Sequence, residues 1–386
     1  MHDMFIEKHP DLSKTIKYEY FLNYYKEKYG YRFGRPQVDV CSTCENLNTK
    51  IKSTNLTDSA KKTSAVELMI HKRRACKFYK KIEEITEICK NRDDVHAVCF
   101  DFMQNLPLPC MPVQEMFYLR KLWHYVFCVH SLSDDKATMY TYHEGVAKKG
   151  ANDVCSLLND YIKNSVNEQV KTLYVFSDAC PGQNRNQTMV RYFLSLTLMK
   201  RFHEIQVFFP TRGHSFLPCD RDFGVIKRVI RRHDRVYSPE QYNKMIQSAK
   251  KLEPKFIVKS VKNHDILDFN QWWPEYFKKT CQSVRTKEPF KVSTYSHLTF
   301  SAAKRGYVTA RRFIDGLNSD SIFKLYKGGE VILPSERAYN GKVPIKVAKL
   351  NDVSKIIHYV PDQYRLFYEN ILEWPSTTDN QEDGDD

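Results

Sequence analysis

"LYVFSDACPGQNRNQTMVRYF", residues 173–193, decides how this chain is read. Leu173 to Phe176 form a short run of aliphatic, β-branched and aromatic residues, the composition of a buried strand. Asp178 follows at its end, and Pro181, Gly182, Asn184 and Asn186 supply turn and cap chemistry before a helical period begins in "NQTMVRYFLSLTLMKRF". A carboxylate therefore stands where a core strand leaves its sheet, the edge at which α/β folds build their sites.

Working outward, three β runs precede this unit: "VHAVCFDFMQ", "MFYLRKLWHYVFCVHSL" and "KATMYTYHEG", separated by short connections. A helical period then occupies "NDVCSLLNDYIKN". Beyond residue 193 come a strand, "EIQVFFP", and a helix, "RDFGVIKRVIRRH". The order β-β-β-α-β-α-β-α, wound with right-handed crossovers, predicts an α/β fold over 95–237: an RNase H-like mixed sheet flanked by helices.

Residues 1–94 read as an N-terminal helical region. In "KTIKYEYFLNYYKEKYG" a basic, aromatic helix ends at Gly30 as C-cap, and it reads as a packed helix ahead of a DNA-reading one. "SAVELMIHKRRACKFYKKIEEITEICK" continues as a helical arm, with "STNLTDS" as the bend of a helical hairpin. Residues 238–373 are expected to extend the core and form a small C-terminal α+β subdomain, and 374–386 an acidic, disordered tail.

The formal net charge is +14, although the last eight residues hold five acids and no base. Such a surplus suits a polyanionic partner, most simply nucleic acid, but it also serves solubility, and charge alone does not choose. The 42% apolar content is that of an ordinary globular chain. Eleven cysteines lie dispersed and no apolar leader opens "MHDMFIEKHP", which points to a reducing compartment, cytosolic or nuclear. The apolar runs are far shorter than the ~20 residues of a membrane-spanning helix, so no membrane partner is expected.

Asp101, in "AVCFDFMQ", falls at the end of the first strand, beside that of Asp178 if the fold holds. "FFPTRGHSFLPCDRDFGVIKR" offers Asp220, with Asp222 as the alternative third acid. Three converging carboxylates can hold Mg²⁺ or Mn²⁺ for phosphodiester chemistry; each alone can equally be a turn or helix cap. His214, Gln183 and Asn184 are supporting candidates, as phosphate donors or as structural hydrogen-bonding groups. Lys227, Arg228, Arg231, Arg232 and Arg235 make either a DNA-binding track or a solvated helix face. Cys41 and Cys44 form an isolated C-x2-C, half of a structural zinc site, for which His71 and Cys76 are the completing candidates; free thiols are the alternative.

As an ordered set, "DVCSTCENL" with "HKRRA", "FDFMQNLPLP", "FSDACPGQNRN", "GHSFLPCDRDFG" and "VPDQYRLFYENIL" resemble an animal family of transposon-associated proteins of unknown function, regarded as having an RNase H-like, DDE transposase-type core. The resemblance runs from about residue 14 to 373. It implies that Asp101, Asp178 and Asp220 are the recurrent acids and Cys41, Cys44 and His71 recurrent metal ligands. Many relatives would carry a glutamate where this chain has Lys227. The expectation is a transposon-derived protein acting on DNA in the nucleus, with a homo-oligomer possible. The alternatives are a catalytically inactive, domesticated DNA- or chromatin-binding protein, and a protein scaffold using the helical arm.

Overall fold

The structure is a computed structural model that describes residues 1–29, 40–314, 316 and 320–378. Gly30 and residues 379–386 of the acidic tail lie outside the described residues. Among the described residues no helix is long and apolar enough to cross a membrane.

The N-terminal region is helical. Helices α1 (His2–Lys8) and α2 (Tyr18–Lys28) precede a hairpin of α3 (Ser42–Lys52) and α4 (Asp58–Asn91). The bend falls in the expected segment, where the Thr57 side chain accepts a hydrogen bond from the Ala60 amide, at 3.4 Å, and caps α4. At 34 residues α4 is the longest helix described. Its buried positions Ser64, Leu68, Ala75, Phe78, Ile85 and Cys89 recur at intervals of three, four and seven, which makes one stripe along its length.

Next come the strands β1 (Val95–Phe102), β2 (Leu106–Leu108), β3 (Leu122–Ser131) and β4 (Ala137–His143), then helix α5 (Ala151–Ser165), strand β5 (Thr172–Ser177), helix α6 (Gln187–Leu198), strand β6 (Glu204–Phe208) and helix α7 (Pro218–Ile230). This is the element order read from the sequence, with the short β2 added. The chain continues through α8 (Pro239–Gln247), β7 (Ile257–Ser260), α9 (Phe269–Tyr276), β8 (His297–Ser301), β9 (Tyr307–Arg311) and β10 (Ser321–Lys324). It closes with β11 (Ile345–Lys346), α10 (Val347–Ile356), α11 (Asp362–Leu372) and β12 (Ser376–Thr377).

Ten strands form one mixed sheet in the order β10-β9-β8-β6-β5-β1-β3-β4-β7, with β2 pairing β3. At its centre β1 is antiparallel to β3 and parallel to β5, and β5 is parallel to β6. For 238–373 the sequence reading expects an extension of the core together with a small α+β subdomain. The later strands join the main sheet, β7 alongside β4 and β8 alongside β6, because both strands offered open ladder edges to later chain. Strands β11 and β12 form a second, two-stranded sheet beside α10 and α11, whose Val353, Ile356, Val360 and Tyr368 pack with Met111, Met116 and Tyr237, while Ile345, Leu350 and Ile371 join the main core.

Strand alternation assigns the two faces. Val98, Phe100 and Phe102 of β1 share a core with α5, α6 and α9. Val95, Ala97 and Cys99 point to the opposite core, where Phe78 and Ile85 of α4, Phe223 and Ile226 of α7 and Tyr242 of α8 pack. Both faces are covered, so β1 reads as a nearly continuous apolar run.

Candidate metal centre and acidic strand edge

Two groups of polar side chains gather on the α4 and α7 side of the sheet. The first is built at the helical hairpin. Cys41 precedes α3 and Cys44 lies in its first turn, so the two thiols share one end of that helix. His71 projects from α4, which packs against α3 through Leu47 and Leu68. The fourth member is His214, from the loop between β6 and α7. Its Nε2 lies 3.3 Å from Cys44 Sγ and 3.1 Å from His71 Nε2, and Cys41 Sγ lies 3.2 Å from His71 Nε2.

All four candidate ligand atoms fall within 4.8 Å of one another. A tetrahedral zinc with bonds of about 2.0–2.3 Å brings its ligand atoms to roughly such separations, and two thiolates with two imidazoles are a donor set zinc favours. The cluster can therefore hold a metal such as zinc. Among the described residues it is the one group of three or more His, Cys, Asp or Glu side chains arranged to do so.

The loop is shaped to bring His214 against the two cysteines. Gly213 has φ +80°, and a Cβ placed there would come within 2.7 Å of Cys41 Sγ, so only glycine permits the approach. The Tyr79 hydroxyl of α4 donates to the His214 carbonyl at 3.0 Å and ties the loop to the helix. Burial and the neighbouring His214 and Arg74 push the His71 imidazole towards its neutral, ligating form. Cys76, expected as a completing ligand, is an exposed thiol outside the cluster. The nearby chain supplied Cys76 to a local reading, whereas the actual partner arrives from 143 residues downstream of His71. The signal available was "RGH", a glycine directly before a histidine.

The second group lies at the strand ends. The β1–β5 ladder closes with Phe100 opposite Ser177, and one step further along these parallel strands stand Asp101 and Asp178. Asp101 has the parity of Cys99, and Asp178 that of Phe176, so both belong to the face covered by α4 and α7. Helix α7 brings Asp220 in its first turn, anchored beneath by Cys219, whose thiol donates to the Cys99 carbonyl at 3.3 Å.

Each carboxylate is held by its own loop. Asp101 accepts from the Phe102 amide at 2.7 Å, and Asp220 from the Leu217 amide at 2.7 Å, closing the start of α7. Asp178 accepts from the Asn184 side-chain amide and from the Cys180 amide. Asn184 is only 1% exposed, so it is a fixed strut. Burial raises the Asp101 carboxyl well above the usual carboxylate range, and the charges of Asp178 and Asp220 raise it further. Asp220 is raised by burial and by Asp178, against the lowering by the Leu217 amide and Lys227. The three acids thus share one field, although they are not a closed metal-ligand group.

The other candidates fall as follows. Asp222 is 4% exposed and turned away from Asp220 on the helix, with its carboxylate 2.7 Å from His130 Nδ1 and 3.4 Å from Lys250 Nζ; it is a buried partner of that imidazole and of the lysine ammonium. Gln183 is half-buried, and its carbonyl accepts from Asn186, the cap of α6. Lys227 reaches Gln104 at 3.1 Å, on the α7 face that carries Asp220. Arg228, Arg231, Arg232 and Arg235 are exposed, and Arg235 donates to the Tyr237 hydroxyl.

No curated protein and no solved structure matches the chain. Residues 116–306 match a family model described as a domain of unknown function (DUF7869), a stretch that holds Asp178, His214 and Asp220 and begins downstream of Cys41, Cys44, His71 and Asp101.

Proposed function

We propose that the chain is a transposon-derived, RNase H-like protein that processes DNA in the nucleus, with Asp101, Asp178 and Asp220 as its divalent-metal ligands. The observation that carries this reading is the placement of Asp101 and Asp178 one step past the last pair of two adjacent parallel strands, with Asp220 brought to the same edge. The central strand order β4-β3-β1-β5-β6 supports it. Mg²⁺ or Mn²⁺ held there would supply Lewis-acid activation of a water or hydroxyl and neutralise the leaving oxygen of a phosphodiester. The chain's own contribution is orientation. Asn184 sets the Asp178 carboxylate, the Phe102 amide sets Asp101, and the Leu217 amide sets Asp220. Burial and then the charges of Asp178 and Asp220 raise Asp101, and a divalent cation would relieve that repulsion.

The test is Mn²⁺-dependent cleavage of single- and double-stranded DNA by the zinc-loaded protein, beside Asp178→Asn. Activity in the wild type that is lost in a folded Asp178→Asn supports the reading. A second reading, an inactive DNA- or chromatin-binding protein, is favoured by Lys227, whose positive charge acts on Asp220 at a position where the family resemblance implies a glutamate. Absence of saturable Mn²⁺ binding by calorimetry, with and without DNA, would select it.

A further inference from the structure

Beside the metal centre lies a groove of about 500 Å³ whose cations the aspartate site does not use. One wall is α4, where Ile70, Arg73, Arg74 and Lys77 are spaced i, i+3, i+4 and i+7 and therefore line one face. Opposite stand Arg185, from the loop that carries Asp178, Arg212, two residues before His214, and Arg312, which follows β9. Six cations border the space, and no acidic side chain lines it among the described residues. Arg312 is balanced by Glu288 at 3.1 Å, and Arg185 is spent in part on the Tyr295 carbonyl at 2.7 Å. Arg73, Lys77 and Arg212 have no acidic partner among the described residues. The hydroxyls of Ser293 and Thr294 add neutral donors.

The groove also carries a flat surface. Phe313 is 42% exposed, and the Arg74 guanidinium lies 4.1 Å from its ring centroid. Aromatic rings and guanidinium planes of this kind are platforms on which bases stack, while flanking cations track phosphates. A space of this size encloses a drug-sized molecule, hence a short segment of one strand and not a duplex.

We infer that this groove binds a segment of single-stranded nucleic acid, its phosphates on Arg73, Lys77 and Arg212 and a base against the Arg74–Phe313 pair. The strand would then be carried from the metal centre, through Arg212, towards the loop that bears Asp178, through Arg185. The inference deepens the DNA-processing reading but requires nothing of the three aspartates.

The experiment is fluorescence anisotropy of a labelled oligothymidine strand, and of a duplex of equal length, with the zinc-loaded full chain and no added Mg²⁺ or Mn²⁺. Replacing Arg73 and Lys77 together by alanine is expected to weaken strand binding at least about tenfold at 0.1 M salt. It should also make the salt slope shallower by about 1.4, since each phosphate contact to a single strand contributes about 0.7. Lys278→Ala with Lys279→Ala, an equal charge loss at exposed positions just after α9 on the opposite sheet face, is expected to leave affinity nearly unchanged. Unchanged strand binding in the first pair, equal losses in both pairs, or tighter binding of the duplex than of the strand would each overturn the assignment. Because binding is read without Mg²⁺ or Mn²⁺, a failure of cleavage and a failure of this groove are separate results.

Discussion

If the Cys41, Cys44, His71 and His214 cluster is loaded with zinc, stripping it is expected to melt α3 and leave the rest of the chain folded. The magnitude follows from what else holds that helix. Its core consists of Leu47 and Leu68, with Ile51 partly buried against them, beside the two cysteines. Burying two leucine side chains is worth roughly 3–6 kcal/mol at about 1.5–3 kcal/mol each. Ordering the backbone of the 11 residues of α3 costs on the order of 11–22 kcal/mol at about 1–2 kcal/mol per residue. A structural zinc in small metal-folded units contributes about 10–16 kcal/mol, so that at mid-range about 13 kcal/mol meets a shortfall of about 12 kcal/mol. Helix α4 has an independent anchor, since Phe78 and Ile85 are 0% and 2% exposed within the main core and Phe78 packs edge-on against Phe176 at 5.8 Å. Hydrogen exchange read by mass spectrometry should therefore show protection lost over 42–52 after chelation, or in Cys44→Ala, and retained over 78–89. Unchanged protection of 42–52 in protein shown to be metal-free would refute the reasoning, as would collapse of both segments together.

Two further outcomes are expected. Asp101→Asn removes a carboxylate whose ionised form is opposed by burial and by Asp178 and Asp220. A raised folded-state carboxyl makes ionisation destabilising once pH exceeds the unfolded value, so the variant should melt at a higher temperature than wild type at pH 8 without divalent ions; a lower Tm would contradict the shared field. His124 is buried against Tyr242 with both ring nitrogens unpartnered among the described residues, and burial pushes its pKa down to about 3. A depressed folded-state histidine loses stability as pH falls below its unfolded value, so relative to His124→Phe the wild type should lose about 1.4 kcal/mol per pH unit between roughly pH 6 and 4. Parallel denaturant midpoints for the two proteins across that window would show that His124 is not buried neutral.

The fold centre was legible because its signals are local. The aromatic and β-branched run ending at Asp178, the three β runs before it and the helical periods between strands follow from side-chain alternation, and each became the element expected. Pairing was less legible. Nothing in "PFKVSTYSHLTFS" says that β8 will dock on β6, because an open ladder edge is a property of the assembled sheet and not of the docking segment. The metal cluster divides in the same way: Cys41, Cys44 and His71 lie within one hairpin and were accessible to spacing, whereas His214 reaches them only through the turn at Gly213. Asp222 shows the limit of proximity in sequence. Two residues from Asp220, it points to the opposite side of the helix and serves His130 and Lys250.

The sheet is completed from the middle outwards, and this bears on how the chain can be made. Strands β1 to β6 all lie between residues 95 and 208, while the strands that cover β4 and β6 are not synthesised until residues 257–260 and 297–301. During that interval the nascent domain carries two unpaired ladders, β4 on one side and β6 on the other, with buried-type aromatic and aliphatic side chains beside them. Exposed edges of this kind recruit strands from other chains. A fragment cut at residue 237, where the sequence invites a domain boundary, would keep both edges open permanently. It should accumulate as aggregates, whereas expression to at least residue 324 supplies every strand of the main sheet.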